Sequence, residues 1–82
     1  MFIQVGYGNY VLNNKVVAIV GADTAPVKRV IKEAKNRGRC VDTTNGRRTR
    51  AAIITDSDHV ILSAIYPETI VKRIDSKEVE EM

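Results

Sequence analysis

The sequence has few of the residues on which small secreted or membrane proteins depend. It contains one cysteine, Cys40, in 82 residues, so no disulfide can form within the chain. No run of about 18 apolar residues is present, which argues against a membrane-spanning helix. The N-terminal residues show neither a basic region nor a long apolar stretch, so we expect no signal peptide. These features predict a soluble cytoplasmic protein in which Cys40 is a small, half-buried thiol without a reactive role.

Aromatic residues are also scarce. The chain has no tryptophan, one phenylalanine and three tyrosines. A single domain of this length is close to the smallest that can bury a sufficient core alone. A thin core and short strands with open edges therefore predict a homo-oligomer. Tyr7, Tyr10 and Tyr66 are scattered along the chain, and we expect them to pack against the sheet rather than to stack on bases.

Charge is distributed very unevenly along the chain. The net charge is only +3, yet residues 28–50 hold nine lysines and arginines against two carboxylates, Glu33 and Asp42. The last eight residues, 75–82, are mainly acidic. A concentrated basic face is typical of a protein that binds a polyanion. The alternative is a solvated helix surface followed by a solvated hairpin.

Hydrophobic patterning predicts an α+β domain over residues 1–75 with a small, mostly antiparallel sheet. Short apolar segments predict strands at 2–5, 10–12, 16–20 and 59–64. The main amphipathic helix is expected at about 25–37, after an N-cap at Thr24 or Asp23 and before Gly38. A short C-terminal helix is expected from Pro67 to about Ile74. Residues 76–82 then form an acidic tail, which we expect to be frayed.

The dipeptide Asn45-Gly46 is the strongest turn signal in the chain, because a type I′ turn needs positive φ at both central residues. Taken as a hairpin, it has residues 39–43 and 48–55 as its arms. Thr43 would then face Arg48, and Asp42 would face Thr49.

Three arginines follow this turn within four residues. No carboxylate would lie directly opposite Arg47 or Arg48 in the hairpin, and guanidinium groups fit phosphate oxygens well. We therefore predict that Arg47 and Arg48 contact the backbone of a nucleic acid. Arg50 lies deeper, and it is equally suited to phosphate contact or to a structural pair with Asp42 or Asp56.

Two further groups of residues are candidates for a function. On the main helix, Lys28, Lys32 and Lys35 share one face and form a secondary basic surface, although a solvated face explains them equally well. The segment from Asp56 to His59 could hold a metal ion in a nuclease. However, Asp-Ser-Asp between two strands is ordinary turn chemistry, and no second histidine, cysteine or glutamate follows at ligand spacing. We predict a structural turn, no metal site and no cofactor.

The chain resembles the RemA family, small bacterial regulators of extracellular-matrix genes. The similarity covers nearly the whole chain. It is carried by four motifs: Gly6-Tyr7-Gly8-Asn9, Ala25-Pro26-Val27-Lys28-Arg29, Gly46-Arg47-Arg48-Thr49-Arg50-Ala51, and residues 56–64, Asp-Ser-Asp-His-Val-Ile-Leu-Ser-Ala, which lead to Pro67-Glu68-Thr69.

This resemblance implies a DNA-binding transcription factor without catalysis, acting in the cytoplasm at the nucleoid. It implies rings of subunits that present an arginine-rich loop to DNA, and a fold similar to LytTR-type DNA-binding domains. By motif, the loop arginines are Arg47 and Arg48. Lys15 stands where relatives carry a basic residue, and Asn45 stands where we expect tyrosine.

Two other classes of function stay open at this stage. An RNA-binding module could use the same basic face, although no aromatic pair on one strand and no RNA-binding signature is visible. A structural or adaptor oligomer could present the basic surface to an acidic protein. A membrane surface is a poor partner, because the hairpin has no apolar anchor.

Overall fold

The computed structural model describes the backbone of residues 1–81 and the side chains of residues 1–75. Within these residues, six strands and two α-helices form an α+β fold, as the sequence predicts. The elements are β1 (Phe2–Gly6), β2 (Asn9–Leu12), a 3₁₀ turn (Asn13–Lys15), β3 (Val16–Gly21), α1 (Ala25–Asn36), β4 (Cys40–Asp42), β5 (Ala51–Thr55), β6 (Val60–Ser63) and α2 (Pro67–Glu81).

The strands form two sheets rather than one. β1 and β2 are an antiparallel pair. The other four strands form a sheet in the order β3-β5-β6-β4. Pairing is antiparallel between β3 and β5 and between β5 and β6, but β4 runs parallel to β6. The expectation of mostly antiparallel pairing is therefore confirmed.

The predicted hairpin between β4 and β5 is wrong. β6 lies between these two strands and pairs with both, so the expected contacts of Thr43 with Arg48 and of Asp42 with Thr49 do not form. The physical reason is burial. Val60 and Leu62 of β6 are buried in the sheet, whereas residues 43–50 include no large apolar side chain that could anchor hairpin arms in a core. These eight residues form a loop instead.

Helix α1 covers one face of the four-stranded sheet. Pro26 lies in its first turn, where the missing N–H costs no hydrogen bond. Gly38 follows the helix with φ of +69°, as predicted. Thr24 occupies the N-cap position, although its side chain makes no capping hydrogen bond in the described structure. Ala34 packs against the β5 and β6 residues Ala52, Val60 and Leu62 in one buried cluster.

The opposite face of the sheet is covered by β1, β2 and α2. Ile3 and Val5 of β1 pack there with Ile53 of β5 and Ile70 of α2, all nearly or fully buried. The domain therefore has three layers, in which the four-stranded sheet lies between α1 and the layer of β1, β2 and α2. In this arrangement, loops form the two ends of the four-stranded sheet.

Helix α2 begins at Pro67 as predicted, but it extends to Glu81 and is longer than the short helix expected. Arg73 of α2 donates a hydrogen bond to the carbonyl of Gln4, which ties the helix to β1 (Nη1···O 2.7 Å). The frayed acidic tail expected at 76–82 stays a prediction, because those side chains lie outside the described residues. No helix in the described chain is long and apolar enough to cross a membrane.

Candidate nucleic-acid interface

The loop of residues 43–50, which we call the arginine loop, is tied at both ends to β6. At its start, Thr43 donates two hydrogen bonds to the carbonyl of Leu62, from its backbone N–H (3.0 Å) and from its hydroxyl (2.6 Å). At its end, the N–H of Arg50 donates to the carbonyl of Ser63 (2.8 Å). Because β6 separates β4 from β5, the arginine loop must cross over the C-terminal end of β6.

Hydrogen bonds within the arginine loop fix its first half. One carboxylate oxygen of Asp42 accepts bonds from the N–H (2.8 Å) and the hydroxyl (2.6 Å) of Thr44. These bonds, the hydroxyl first, lower the pKa of Asp42 below its ordinary value of 3.8. Asn45 and Gly46 then have φ of 54° and 79°, and the N–H of Arg47 donates to the carbonyl of Thr44 (3.0 Å). The predicted Asn-Gly turn is therefore present, with positive φ at both central residues.

The side chains of Arg47 and Arg48 are exposed. Arg47 forms no ion pair with any described residue. Arg48 pairs with Asp23, in the segment between β3 and α1, at 3.5 Å, and both side chains are about two-thirds exposed (65% and 66%). Such an exposed ion pair contributes little stability, of the order of 0–1 kcal/mol. The Arg48 guanidinium can therefore exchange Asp23 for an anion that binds it more tightly. Sequence reasoning missed Asp23, because it lies far from Arg48 in the chain.

Arg50 takes neither of the expected carboxylate partners. Its guanidinium lies over the ring of Tyr66, 4.8 Å from the ring centroid, which is a cation–π contact. Tyr66 follows β6 and reaches Arg50 because the arginine loop crosses the end of that strand. A cation held by an aromatic ring keeps its full charge, so Arg50 still contributes to the positive surface.

Tyr7 completes this surface from the turn between β1 and β2. The fully buried hydroxyl of Ser63 donates to the carbonyl of Val5 (2.7 Å) and accepts from the N–H of Ile65 (3.1 Å). It thereby joins the end of β1 to the segment that carries Tyr66. A concavity of about 440 Å³ lies between these elements and is lined by Tyr7, Arg47, Arg48, Arg50, Ala64 and Tyr66.

The expectation that the three tyrosines pack against the sheet is wrong. Tyr7 and Tyr66 are each about half exposed (53% and 51%) and border the arginines, and Tyr10 is 57% exposed on the outer face of β1 and β2. The exposure of Tyr7 could have been predicted from the sequence, because Tyr7 lies between two glycines in the turn Gly6-Tyr7-Gly8, which leaves its side chain outside the core. The position of Tyr66 depends on the strand order and could not be derived locally.

Lys15 lies at the opposite end of the sheet from the arginine loop. Lys15 precedes β3, and its ammonium group lies 3.8 Å from the carboxylate of Asp56, which follows β5. The arginine loop instead precedes Ala51, at the other end of β5. At about 3.3 Å per strand residue, the length of β5 separates them by roughly 15 Å. One chain therefore does not bring Lys15 and the arginines together.

Lys28, Lys32 and Lys35 are all exposed on α1. They extend for about 10 Å along the helix, at 1.5 Å per residue. Lys35, near the end of α1, lowers the pKa of Asp42 to a small extent. The lysines form a second basic surface beside the sheet rather than a part of the concavity.

Cys40 and the segment from Asp56 to His59 lie apart from the arginine loop. Cys40 is half-buried, and burial raises the pKa of its thiol, which disfavours the reactive thiolate. Asp58 lies in a tight turn with φ of 63°, and its N–H donates to the carbonyl of Thr55 (3.2 Å). His59 is engaged through Nδ1 with the hydroxyl of Ser57 (2.8 Å). Among the described residues, no three His, Cys, Asp or Glu side chains are grouped as metal ligands would be.

Comparisons with known proteins identify relatives over nearly the whole chain. Residues 2–74 match a family model described as RemA-like, extracellular matrix regulatory protein A-like. A protein of Acetivibrio thermocellus named "Putative regulatory protein" is 58% identical over 80 residues, which cover 98% of this chain and 86% of that protein. Proteins of the same description from Clostridium botulinum strain Hall and Desulforamulus reducens are 60% and 56% identical, over 96% and 98% of this chain and 87% and 89% of their own lengths.

Proposed function

Since the chain belongs to the RemA-like family of regulatory proteins, we propose that it is a DNA-binding transcriptional regulator without catalytic activity. Its arginine loop contacts the phosphates and grooves of duplex DNA, and the genes that it regulates include those for extracellular matrix and biofilm. It acts in the cytoplasm at the nucleoid. A likeness of the fold to LytTR-type DNA-binding domains is part of the same proposal.

One observation carries this proposal. Three guanidinium groups lie together on one exposed loop at the end of the sheet, and the described residues provide only one weakly held carboxylate beside them. Arginines on an anchored loop can bind phosphate with little loss of backbone entropy. Because the loop is bonded to β6 at both ends, the backbone positions that carry the arginines keep their spacing when DNA approaches.

A single arginine loop makes few phosphate contacts, so we propose that several copies act together as a ring. The outer face of β1 and β2 supports self-association, since Phe2, Tyr10 and Leu12 are large apolar side chains that are 56%, 57% and 38% exposed. Contiguous apolar surface of this kind marks interaction sites. Linked copies then raise the effective concentration of arginine loops along one duplex.

The position of Lys15 fits an assembly better than a single subunit. It cannot join the arginines of its own chain, because the length of β5 separates them. In an oligomer it contacts phosphates at another point along the same duplex. Its weak pair with Asp56, at 3.8 Å, leaves the ammonium group available.

Duplex titration at two salt concentrations tests the proposed function. Binding of a labelled DNA duplex, followed by fluorescence anisotropy, should weaken steeply between about 50 and 200 mM salt, because counterions are released from each contacted phosphate. A single-stranded RNA with the same number of phosphates should compete weakly. Stronger competition by the RNA would favour an RNA-binding module, and duplex affinity that hardly changes with salt would contradict phosphate contact.

A further inference from the structure

The concavity beside the arginine loop combines two kinds of surface that the DNA-binding role does not require together. It is an open surface concavity with a volume of about 440 Å³. One side is formed by the arginine loop, and the other by the Tyr7 turn and the segment after β6. The buried hydroxyl of Ser63 joins the two parts of the second side through its bonds to Val5 and Ile65, and the backbone carbonyl of Ser63 accepts a hydrogen bond from Arg50 of the arginine loop.

The arginine side suits a phosphate chain. The guanidinium of Arg47 has no ion-pair partner among the described side chains, and that of Arg48 has only the exposed carboxylate of Asp23. Arg50 is oriented by its stacking on Tyr66. Guanidinium groups bind phosphate oxygens in a bidentate manner, and three of them at one concavity match a group with more than one negative charge.

The aromatic side suits a flat ring. Tyr66 and Tyr7 are each about half exposed where they line the concavity. Tyr7 also has φ of 54°, in the left-handed region that a bulky residue seldom adopts. The next residue, Gly8, has φ of 76°, so the chain forms a turn in which asparagine would be the favoured residue at position 7. A costly conformation that displays an aromatic ring beside three arginines suggests a role in binding.

We propose that this concavity binds a free nucleoside phosphate. The phosphates lie against Arg47, Arg48 and Arg50, and the base stacks on the ring of Tyr7, because the guanidinium of Arg50 already lies over one face of Tyr66. A base within a duplex cannot make this contact, because both of its flat faces are already stacked on its neighbours. The nucleotide and duplex DNA therefore compete for the same three arginines, and this competition rests on the proposed function, whereas nucleotide binding itself does not.

Calorimetric titration of the full chain with magnesium-free ATP tests the proposal, with tripolyphosphate as the ligand that lacks a base. ATP should bind at least about fivefold more tightly, since stacking of one base contributes about fivefold to 150-fold. Tyr7→Asn should remove this advantage and leave tripolyphosphate affinity within about twofold. The variant should unfold at the same temperature as the parent or higher, because asparagine tolerates the left-handed conformation. Tyr66→Phe, which keeps the ring, should bind ATP like the parent.

Each outcome has a defined meaning. Equal affinity for ATP and tripolyphosphate, or no effect of Tyr7→Asn, would reduce the concavity to an unselective anion surface and overturn the proposal. Binding of a single-stranded DNA decamer that depends on Tyr7, without binding of ATP, would overturn it in favour of an unpaired strand. If the duplex binds and ATP does not, only this inference fails. If ATP binds and the duplex does not, the DNA-binding role fails and the nucleotide site stands.

Discussion

Removing two guanidinium groups from the arginine loop should weaken DNA binding by an amount that depends on salt. The change is the double substitution Arg47→Ala with Arg48→Ala. Both side chains are exposed, and the one ion pair that they form with the described residues, between Arg48 and Asp23, joins two exposed groups. The fold should therefore be almost unaffected, with a loss of unfolding free energy below about 1 kcal/mol.

The size of the effect on DNA binding follows from the number of phosphates contacted. If each of the three arginines neutralises one phosphate, the logarithm of the association constant falls with the logarithm of salt with a slope of about −2.7 for each bound subunit. Without Arg47 and Arg48 the slope should be about −0.9. A fourfold rise in salt then costs the parent about 40-fold in affinity per subunit, and the variant only about 3.5-fold.

Fluorescence anisotropy with a labelled duplex at several salt concentrations measures both slopes. Arg29→Ala with Arg37→Ala is the matched control, because it removes the same charge from exposed positions on and just after α1. The control should keep most of the slope. If the loop variant retained the parent's slope, the arginine loop would not be the contact surface. The interface would then belong to Lys28, Lys32 and Lys35.

Three further predictions concern the surroundings of the arginine loop. Asp23→Asn should raise duplex affinity by up to about fivefold, because it removes a carboxylate that competes with phosphate for Arg48. A lower affinity, measured by fluorescence anisotropy, would mean that the ion pair between Arg48 and Asp23 orients the arginine loop for binding. Protonation of Asp42 removes its hydrogen bonds with Thr44 in the folded state. The backbone amides of residues 43–47 should therefore be protected from hydrogen exchange above the ordinary pKa of 3.8, and they should lose protection as the pH falls through the lowered pKa of folded Asp42. Protection that stays constant through this range, measured by hydrogen-exchange mass spectrometry, would contradict this prediction. Phe2→Ser should reduce the mass of the assembly in light scattering, whereas Val71→Ser, which places the same polar residue at another exposed apolar position, should not. An unchanged mass for Phe2→Ser would exclude the outer face of β1 and β2 as the contact between copies.

Local signals in the sequence predicted the local structure well. The apolar stripe with Pro26 and Gly38 located α1 to within one residue, because helix periodicity and end signals act over a few residues. The Asn45-Gly46 turn formed for the same reason. What failed was the pairing of the strands beside that turn, since pairing depends on which apolar strand is buried between others. Residues 43–50 lack large apolar side chains, and this feature could have indicated a loop.

The candidate site was predictable only on its charged side. Arg47 and Arg48 are exposed on one loop as expected, because polar residues after a tight turn remain in solvent. The aromatic side depended on topology. Tyr66 reaches Arg50 only because the loop crosses the end of β6, and the bonds of Ser63 to Val5 and Ile65 join the end of β1 to the segment that carries Tyr66. The contacts of Arg50 with Tyr66 and of Ser63 with Val5 join residues that are far apart in the sequence, so motif spacing could not reveal them.

Light scattering with and without duplex DNA tests the central claim most directly, namely that several copies present their arginine loops to one duplex. At micromolar concentration the protein alone should have a mass that is a multiple of the 9.1 kDa chain. With duplex DNA at low salt, the mass should increase to that of the assembly plus DNA, and the Arg47→Ala, Arg48→Ala variant should assemble normally but take up less DNA at the same concentrations. A mass of one chain, or an assembly whose mass the duplex leaves unchanged, would contradict the claim.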